Sequence, residues 1–249
     1  MSLTVHQFPC LSDNYGFLVR DETSGKVATI DTPDADAILA ELDTLGWSLD
    51  LILNTHWHPD HAGGNAALKK ATGATITGPA EVTRIAPLDR VVRGGDIVLL
   101  GETRFEVIDS GGHTLGHIAY HDAADGIAFV GDTLFALGCG RLFEGTPEQM
   151  WESLSRITAL PDDTVVYCAH EYTAANARFA LSVDDDPALK ARADAVFAAR
   201  ERGEPTVPTT IGAEKATNPF LRAPRLRSAA STPAQAFAEI RAAKDSFKG

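Results

Sequence analysis

The chain has 249 residues, 44% hydrophobic and 22% charged, with a formal net charge of -12. That size and apolar content suit one large domain, or one domain with a smaller companion, and exclude a disordered chain. No apolar run approaches the roughly 18 residues of a membrane-spanning helix, and the acidic balance argues against a protein that coats nucleic acid or an anionic membrane.

The opening MSLTVHQFPCLSDNY lacks a basic stretch followed by an apolar run, so no secretory signal is expected. LTVHQF (3–8), YGFLVR (15–20) and KVATID (26–31) read as strands separated by turn residues. Ile38, Leu39, Leu42 and Leu45 then recur at helical spacing between Asp34 and Gly46. DLILN (50–54) has the pattern of a buried strand, and GGNAALKKATG (63–73) that of a helix after a loop. Further strands are expected at ATIT (74–77), DIVLL (96–100), TRFEVID (103–109), HIAYH (117–121), GIAFVG (126–131) and TVVYC (164–168). A helix opens at Thr146, with Pro147 in its first turn.

Beyond about residue 172 the strand signals stop. ANARFALSV, PALKARADAVFAARERG and TPAQAFAEIRAAKDSF are helix-like, the last opening on a capping box of Thr232 and Gln235. Charge changes over the same boundary: residues 171–249 hold 12 basic and 10 acidic residues, against 10 and 24 in 1–170. Three cysteines, Cys10, Cys139 and Cys168, are too few for a disulfide framework and suit a reducing compartment, so a cytoplasmic location is expected.

Thr55-His56-Trp57-His58-Pro59-Asp60-His61 packs three histidines and an aspartate directly after a strand. In an extended segment residues two apart point the same way, so His56 and His58 can grip one metal. Pro59 then turns the chain, freeing Asp60 and His61 to face a second. Imidazole and carboxylate suit zinc, iron or manganese in a hydrolytic site. His113, Asp132 and His170 each follow a strand, where loops gather at one rim of a sandwich. Asp31 is expected to hydrogen-bond a ligand histidine, and His117 and His121 to be supporting or core groups. Cys139 has no identifiable base and is not expected to be a nucleophile.

THWHPDH with GGHTLGH, GDTLF and a late histidine resembles the metallo-β-lactamase fold. GDTLFALGCGRLFEGT (131–146), YCAHEYTAANARFA (167–180), the TVPTT…NPFLR segment (206–222) and IRAAKDSFK (240–248) are similar, more narrowly, to glyoxalase II, the hydroxyacylglutathione hydrolase family. The resemblance implies an α/β (α+β) fold: an αββα sandwich over 1–172, then a smaller α-helical substrate-binding domain over 173–249. It implies two divalent metal ions per chain, zinc first, with iron or manganese as alternatives. One would be held by His56, His58 and His113, the other by Asp60, His61 and His170, with Asp132 and a water or hydroxide bridging them. Metals in such two-ion hydrolases stand roughly 3.5–4 Å apart.

The implied activity is hydrolysis of S-(2-hydroxyacyl)glutathione, typified by S-lactoylglutathione, to glutathione and a 2-hydroxy acid such as D-lactate, the second step of methylglyoxal detoxification. Asp132 and Asp60 are the implied catalytic carboxylates, Asp60 also orienting the hydroxide. Arg141, Tyr172, Arg241 and Lys244 match the family's contacts to the glutathione carrier, and Arg241 and Lys244 are neighbours on one helix face. Phe143 departs from the pattern, standing where the family commonly has a tyrosine. The expected partner is therefore a small thioester met by a monomer, with neither nucleic acid nor membrane. The rival readings are a mononuclear-iron persulfide dioxygenase of the same fold and a non-catalytic metal-binding protein.

Overall fold

The apolar runs of the N-terminal half form strands because their β-branched and aromatic side chains have sheet faces to bury. In the computed structural model, which describes residues 2–249, the first of two units runs up to Asp109 and includes Gly116–Gly131. It holds β1 (Leu3–Cys10), β2 (Asn14–Asp21), β3 (Val27–Ile30), α1 (Ala35–Leu45), β4 (Leu49–Leu53), α2 (Pro59–Ala62), α3 (Asn65–Thr72), β5 (Thr75–Gly78), β6 (Arg90–Val91), β7 (Ile97–Leu100), β8 (Thr103–Asp109), β9 (Ile118–Asp122) and β10 (Ile127–Gly131). Strands β1 to β6 pair in sequence order, antiparallel from β1 to β3 and parallel from β3 to β6. β7 to β10 form an antiparallel meander.

Helix α1 starts where Asp34 accepts hydrogen bonds from the Asp36 and Ala37 amides, and stops at Gly46 in the left-handed conformation. Its Ile38 and Leu42 pack with Leu68 of α3 against Ile52 and Ile76 of the parallel strands. The two sheets of this unit face each other through aromatic rings. Phe17 of β2 lies 5.7 Å from Phe129 of β10, and the buried Tyr120 hydroxyl donates to the Asn54 carbonyl at 2.8 Å. That bond ties the meander to the chain just past β4, where the histidine motif begins.

The second unit comprises Ser110–Leu115 and Asp132–Gly249. It contains β11 (Leu134–Phe135), β12 (Gly138–Cys139), α4 (Pro147–Thr158), β13 (Val165–Cys168), α5 (Thr173–Val183), α6 (Pro187–Glu201), β14 (Thr209–Thr210), α7 (Ile211–Thr217), α8 (Ala223–Leu226) and α9 (Pro233–Ser246). Leu137, Ala177, Ala180, Leu189 and Ala193 pack α5 and α6 together, and Phe220 and Phe237 join α9 to this core at a ring separation of 6.1 Å. Arg222 is buried between Asp184 and Asp186, at 3.1 and 2.7 Å.

Two expectations about the tail are corrected. A strand does occur past residue 172: β14 pairs antiparallel with β13, and two residues are too few to carry a readable alternation. The capping box at α9 is shifted by one position. Thr232 accepts from the Gln235 amide, but the Gln235 side chain accepts from the amide and hydroxyl of Ser231. Among the described residues no helix is long and apolar enough to cross a membrane.

Candidate functional site

Asn54, buried at the end of β4, fixes the loop that follows. Its amide donates to the His61 carbonyl at 3.0 Å and exchanges bonds with Asn65. The chain bends at Thr55 and runs without regular structure to His58, the N-cap of α2, whose first turn holds Pro59. Across this loop His56 Nε2 and His58 Nδ1 come to 3.0 Å of one another. The helical turn then carries Asp60 and His61, with His61 Nε2 3.5 Å from an Asp60 oxygen.

One buried carboxylate organises this loop. Asp31 lies just past β3 with φ of 60°, a left-handed conformation that aspartate tolerates better than most residues. It accepts from the Thr55 amide at 2.7 Å, the Thr55 hydroxyl at 2.8 Å and His61 Nδ1 at 2.8 Å. The Thr55 oxygen in turn meets His56 Nδ1 at 3.0 Å. Asp31 thus orients His61 directly and His56 through a hydroxyl, so that their Nε2 atoms are the ones that could meet a metal. Asp31 is close enough to His56 and His61 to share an ion with them, but these three bonds make it their positioning partner. On the other side the buried Asn14 donates to an Asp60 oxygen at 3.1 Å.

In the second unit the ligand candidates come from three loops. The His113 loop is held where Ser153 donates to the Gly111 carbonyl at 2.6 Å and the Phe143 amide to the His113 carbonyl at 3.2 Å. His113 Nδ1 donates to the Arg141 carbonyl at 2.8 Å, which fixes its tautomer and turns Nε2 inward. Asp132 then presents one oxygen 3.3 Å from His113 Nε2 and the other 3.4 Å from His170 Nε2. Donors about 2.1 Å from one tetrahedral cation stand about 3.4 Å apart, so each of these oxygen–nitrogen pairs has the spacing of groups that share a metal ion. Gly140 is required here: a Cβ on it would lie 1.9 Å from the Asp132 carbonyl and 3.1 Å from His113 Nδ1.

The expected carrier residues differ in their surroundings. Tyr172 stacks flat on His170, ring centroids 4.7 Å apart. Phe143 is 60% exposed and sets its ring edge-on to His113 at 5.3 Å. The Arg141 side chain is exposed, its guanidinium 5.8 Å from the Phe143 ring centre. Lys244 donates to the Ala175 carbonyl at 3.2 Å, and burial, with the nearby Arg241, holds its pKa below the usual lysine range. Arg241, expected beside Lys244 as a carrier contact, has several internal partners. It is buried, donates to the Cys139 carbonyl at 3.1 Å and to Asp245 at 2.7 and 3.1 Å, and covers the Phe220 ring. On the helix face they share, Arg241 is buried and Lys244 half-buried.

His117, His121 and Cys139 are all buried. His117 is buried against His56, ring centroids 4.7 Å apart, and His121 is buried on β9 across from Glu106. Burial pushes the Cys139 thiol up to about 11, which makes it a poor nucleophile. Asn14, Thr55 and the Arg141 carbonyl are supports that sequence reasoning missed. The SDNY turn ahead of β2 and the residue preceding His56 were the available signals.

Comparison with known proteins follows the same lines. Residues 17–170 match the metallo-beta-lactamase superfamily model, and residues 171–247 match the model for the hydroxyacylglutathione hydrolase C-terminus. A hydroxyacylglutathione hydrolase from Maricaulis maris is 58% identical, over 98% of this chain and 99% of that protein. Among solved structures, ETHE1 from Myxococcus xanthus aligns with a TM-score of 0.72 at 28% identity, covering 96% of this chain and 90% of its own. TTHA1623, solved in a di-iron-bound form, aligns at 0.64 and 26%, covering 88% of this chain and 100% of its own. With the ligand loops and the helical tail both matched, the chain belongs to the hydroxyacylglutathione hydrolase family of the metallo-β-lactamase superfamily.

Proposed function

We infer that this chain is a thioester hydrolase that cleaves S-(2-hydroxyacyl)glutathione, typified by S-lactoylglutathione, to glutathione and a 2-hydroxy acid. The observation that carries this reading is similarity along the whole chain, tail included, to proteins named for that reaction. The same observation disfavours the dioxygenase and the non-catalytic readings.

The proposed ligand sets are His56, His58 and His113 for one divalent ion and Asp60, His61 and His170 for a second, with Asp132 serving both. Support comes from each cluster separately: Asp132 offers one oxygen to each of two histidines, and His56, His61 and His113 have their Nδ1 atoms held by a hydroxyl, a carboxylate and a carbonyl. A di-iron form of TTHA1623 adds a precedent for two ions on this fold; the N/O donor set suits zinc, with iron or manganese as alternatives. Two such ions supply Lewis acidity toward the thioester carbonyl and an activated water near neutral pH.

The chain's own residues do the rest. Asp31 and the Arg141 carbonyl keep the histidine tautomers fixed, so the donor atoms need no rearrangement during turnover. Asn14 holds Asp60, which orients the attacking water. Arg141, Phe143, Tyr172, Arg241 and Lys244 receive the peptide carrier, converting binding into orientation, and Arg241 also fixes the Cys139 backbone. Thiolate is a good leaving group, so no dedicated general acid is required. In this division 1–172 carry the hydrolytic groups and 173–249 contribute carrier contacts. All these residues belong to one chain, so a monomer suffices, and three buried free cysteines suit the cytoplasm.

The deciding experiment is hydrolysis of S-D-lactoylglutathione by purified protein, with metal content measured on the same sample. Turnover with about two metals per chain is expected. One bound iron with oxygen uptake and no thioester turnover overturns the reading.

A further inference from the structure

Between Asp132 and Arg141 the chain makes a small buried hairpin, β11 and β12, in which Leu134 pairs with Cys139 and Phe135 with Gly138. Buried backbone groups need partners, and the helical tail supplies them. Asn176 donates to the Ala136 carbonyl at 3.1 Å. The Leu137 amide donates to Glu214 at 2.9 Å. Asn218 donates to the Phe135 carbonyl at 3.2 Å and the Gly138 carbonyl at 2.9 Å. Arg241 donates to the Cys139 carbonyl at 3.1 Å. Every residue from Phe135 to Cys139 is therefore gripped by a side chain of 173–249.

The grip is built rather than incidental. Glu214 and Asn218 are fully buried and bonded to each other at 2.9 Å. The Glu214 charge is matched by Arg192, with Thr209 donating to the same carboxylate at 2.7 Å. Leu137 sits at φ of 57°, a conformation that a branched side chain keeps only where its surroundings over-determine it. At Gly138 a Cβ would come within 2.3 Å of the Asn176 amide nitrogen. The hairpin's shape is imposed from the tail.

We propose that Asn176, Glu214, Asn218 and Arg241 are positioning residues for the reaction: by clamping Phe135–Cys139 they set Asp132 at one end of the hairpin and Arg141, whose carbonyl orients His113, at the other. The tail thus shapes the metal-ligand geometry as well as meeting the carrier. This rests on the ligand assignment above. Loss of a clamp lets Leu137 relax toward a favourable φ and shifts both ends.

The test is zinc affinity by competition with a chelating dye, on full-length Asn176→Ala and Asn218→Asp, with circular dichroism to confirm folding. Asn218→Asp keeps the shape but turns acceptors toward two carbonyls and Glu214. Supporting residues around metal ligands are worth roughly 10- to 100-fold in affinity. A loss of that size is expected for both variants, whereas Lys244→Ala, whose ammonium bonds outside the hairpin, should bind zinc like the unmodified protein. Should Asn218→Asp fail to fold, Asn176→Ala decides, since it removes a single bond. Arg241→Lys, which retains a donor, should recover affinity lost in Arg241→Ala. Unchanged zinc affinity in folded Asn176→Ala overturns the clamp while leaving thioester turnover by the unmodified protein intact. Weakened affinity in a protein that never turns over the thioester keeps the clamp and removes the proposed reaction.

Discussion

From Thr55 to His61 seven residues bring four donors together, and their main supports, Asp31 and Asn54, sit at the ends of neighbouring parallel strands. His113, Asp132 and His170 lie far apart in sequence and converge through three separate loops, one of which is held in shape by helices that follow all three. The first arrangement lies within one short segment, a strand end, a loop and one helical turn, with Asp31 from the end of the neighbouring strand as its remote support. The second is assembled, and depends on packing contributed by the last third of the chain. Damage at a distance should therefore spare the first cluster and reach the second.

The largest effect is expected where the assembled cluster is emptied at its centre. Asp132→Ala removes both oxygens that face His113 and His170, and should lower kcat by on the order of 10³-fold with loss of bound metal. Metal analysis and turnover on the same preparation check this. Two ions retained at normal affinity would show that Asp132 is not shared.

The local cluster has its own single point of failure. Asp31→Asn keeps a residue that tolerates φ of 60° but removes the charge that aligns Thr55 and His61. Metal affinity and kcat should drop by roughly 10- to 100-fold. An Asp31→Ala variant should also lose thermal stability, because alanine is strained in that backbone conformation. If the charge-removed variant held metal normally, orientation of this loop would have to come from Asn54 and the α2 turn alone.

The contrast also explains what could be read from sequence. The histidine motif stands out in the sequence by its spacing, and the distributed ligand candidates because each follows an apolar strand. Spacing tells which residues share a helix face but not how far that face is covered, so the burial of Arg241 could not be read from it. Its neighbours Phe220 and Cys139 are remote in sequence. Asn14, Asn176 and Asn218 were invisible for the same reason: a polar side chain bonded to a distant backbone carries no periodicity. The strands β1 to β5 and β7 to β10 and the long helices were readable from alternation and caps, whereas β14 and the hairpin β11–β12 were too short to show either.

The carrier side offers a smaller effect of opposite sign. Phe143 is exposed beside His113 without the hydroxyl expected from the family pattern. Phe143→Tyr should lower KM by about two- to tenfold, the worth of one net hydrogen bond, at unchanged kcat. Steady-state kinetics with the glutathione thioester settle it; an unaltered KM would place the carrier elsewhere.

The smallest effect is a pH dependence at Lys244. Burial first, and then Arg241 and Arg178, hold its pKa below the ordinary lysine value. A carboxylate on the carrier needs the protonated ammonium, so KM should rise as pH climbs through a point below about 10.4. Stability should move the other way. With the folded-state pKa depressed, the folded protein releases this proton first, and deprotonation relieves the penalty of burying the charge, so this group adds stability as pH rises through its folded pKa. A rising KM without loss of stability separates carrier release from alkaline unfolding. Lys244→Ala should raise KM about two- to fivefold at neutral pH, in keeping with a partly exposed ion pair of at most about 1 kcal/mol, and should erase the alkaline limb. Were that limb to survive in the variant, the titrating group would be another, and the tail's one half-exposed cation on α9 beside Arg241 would have no part in holding the carrier.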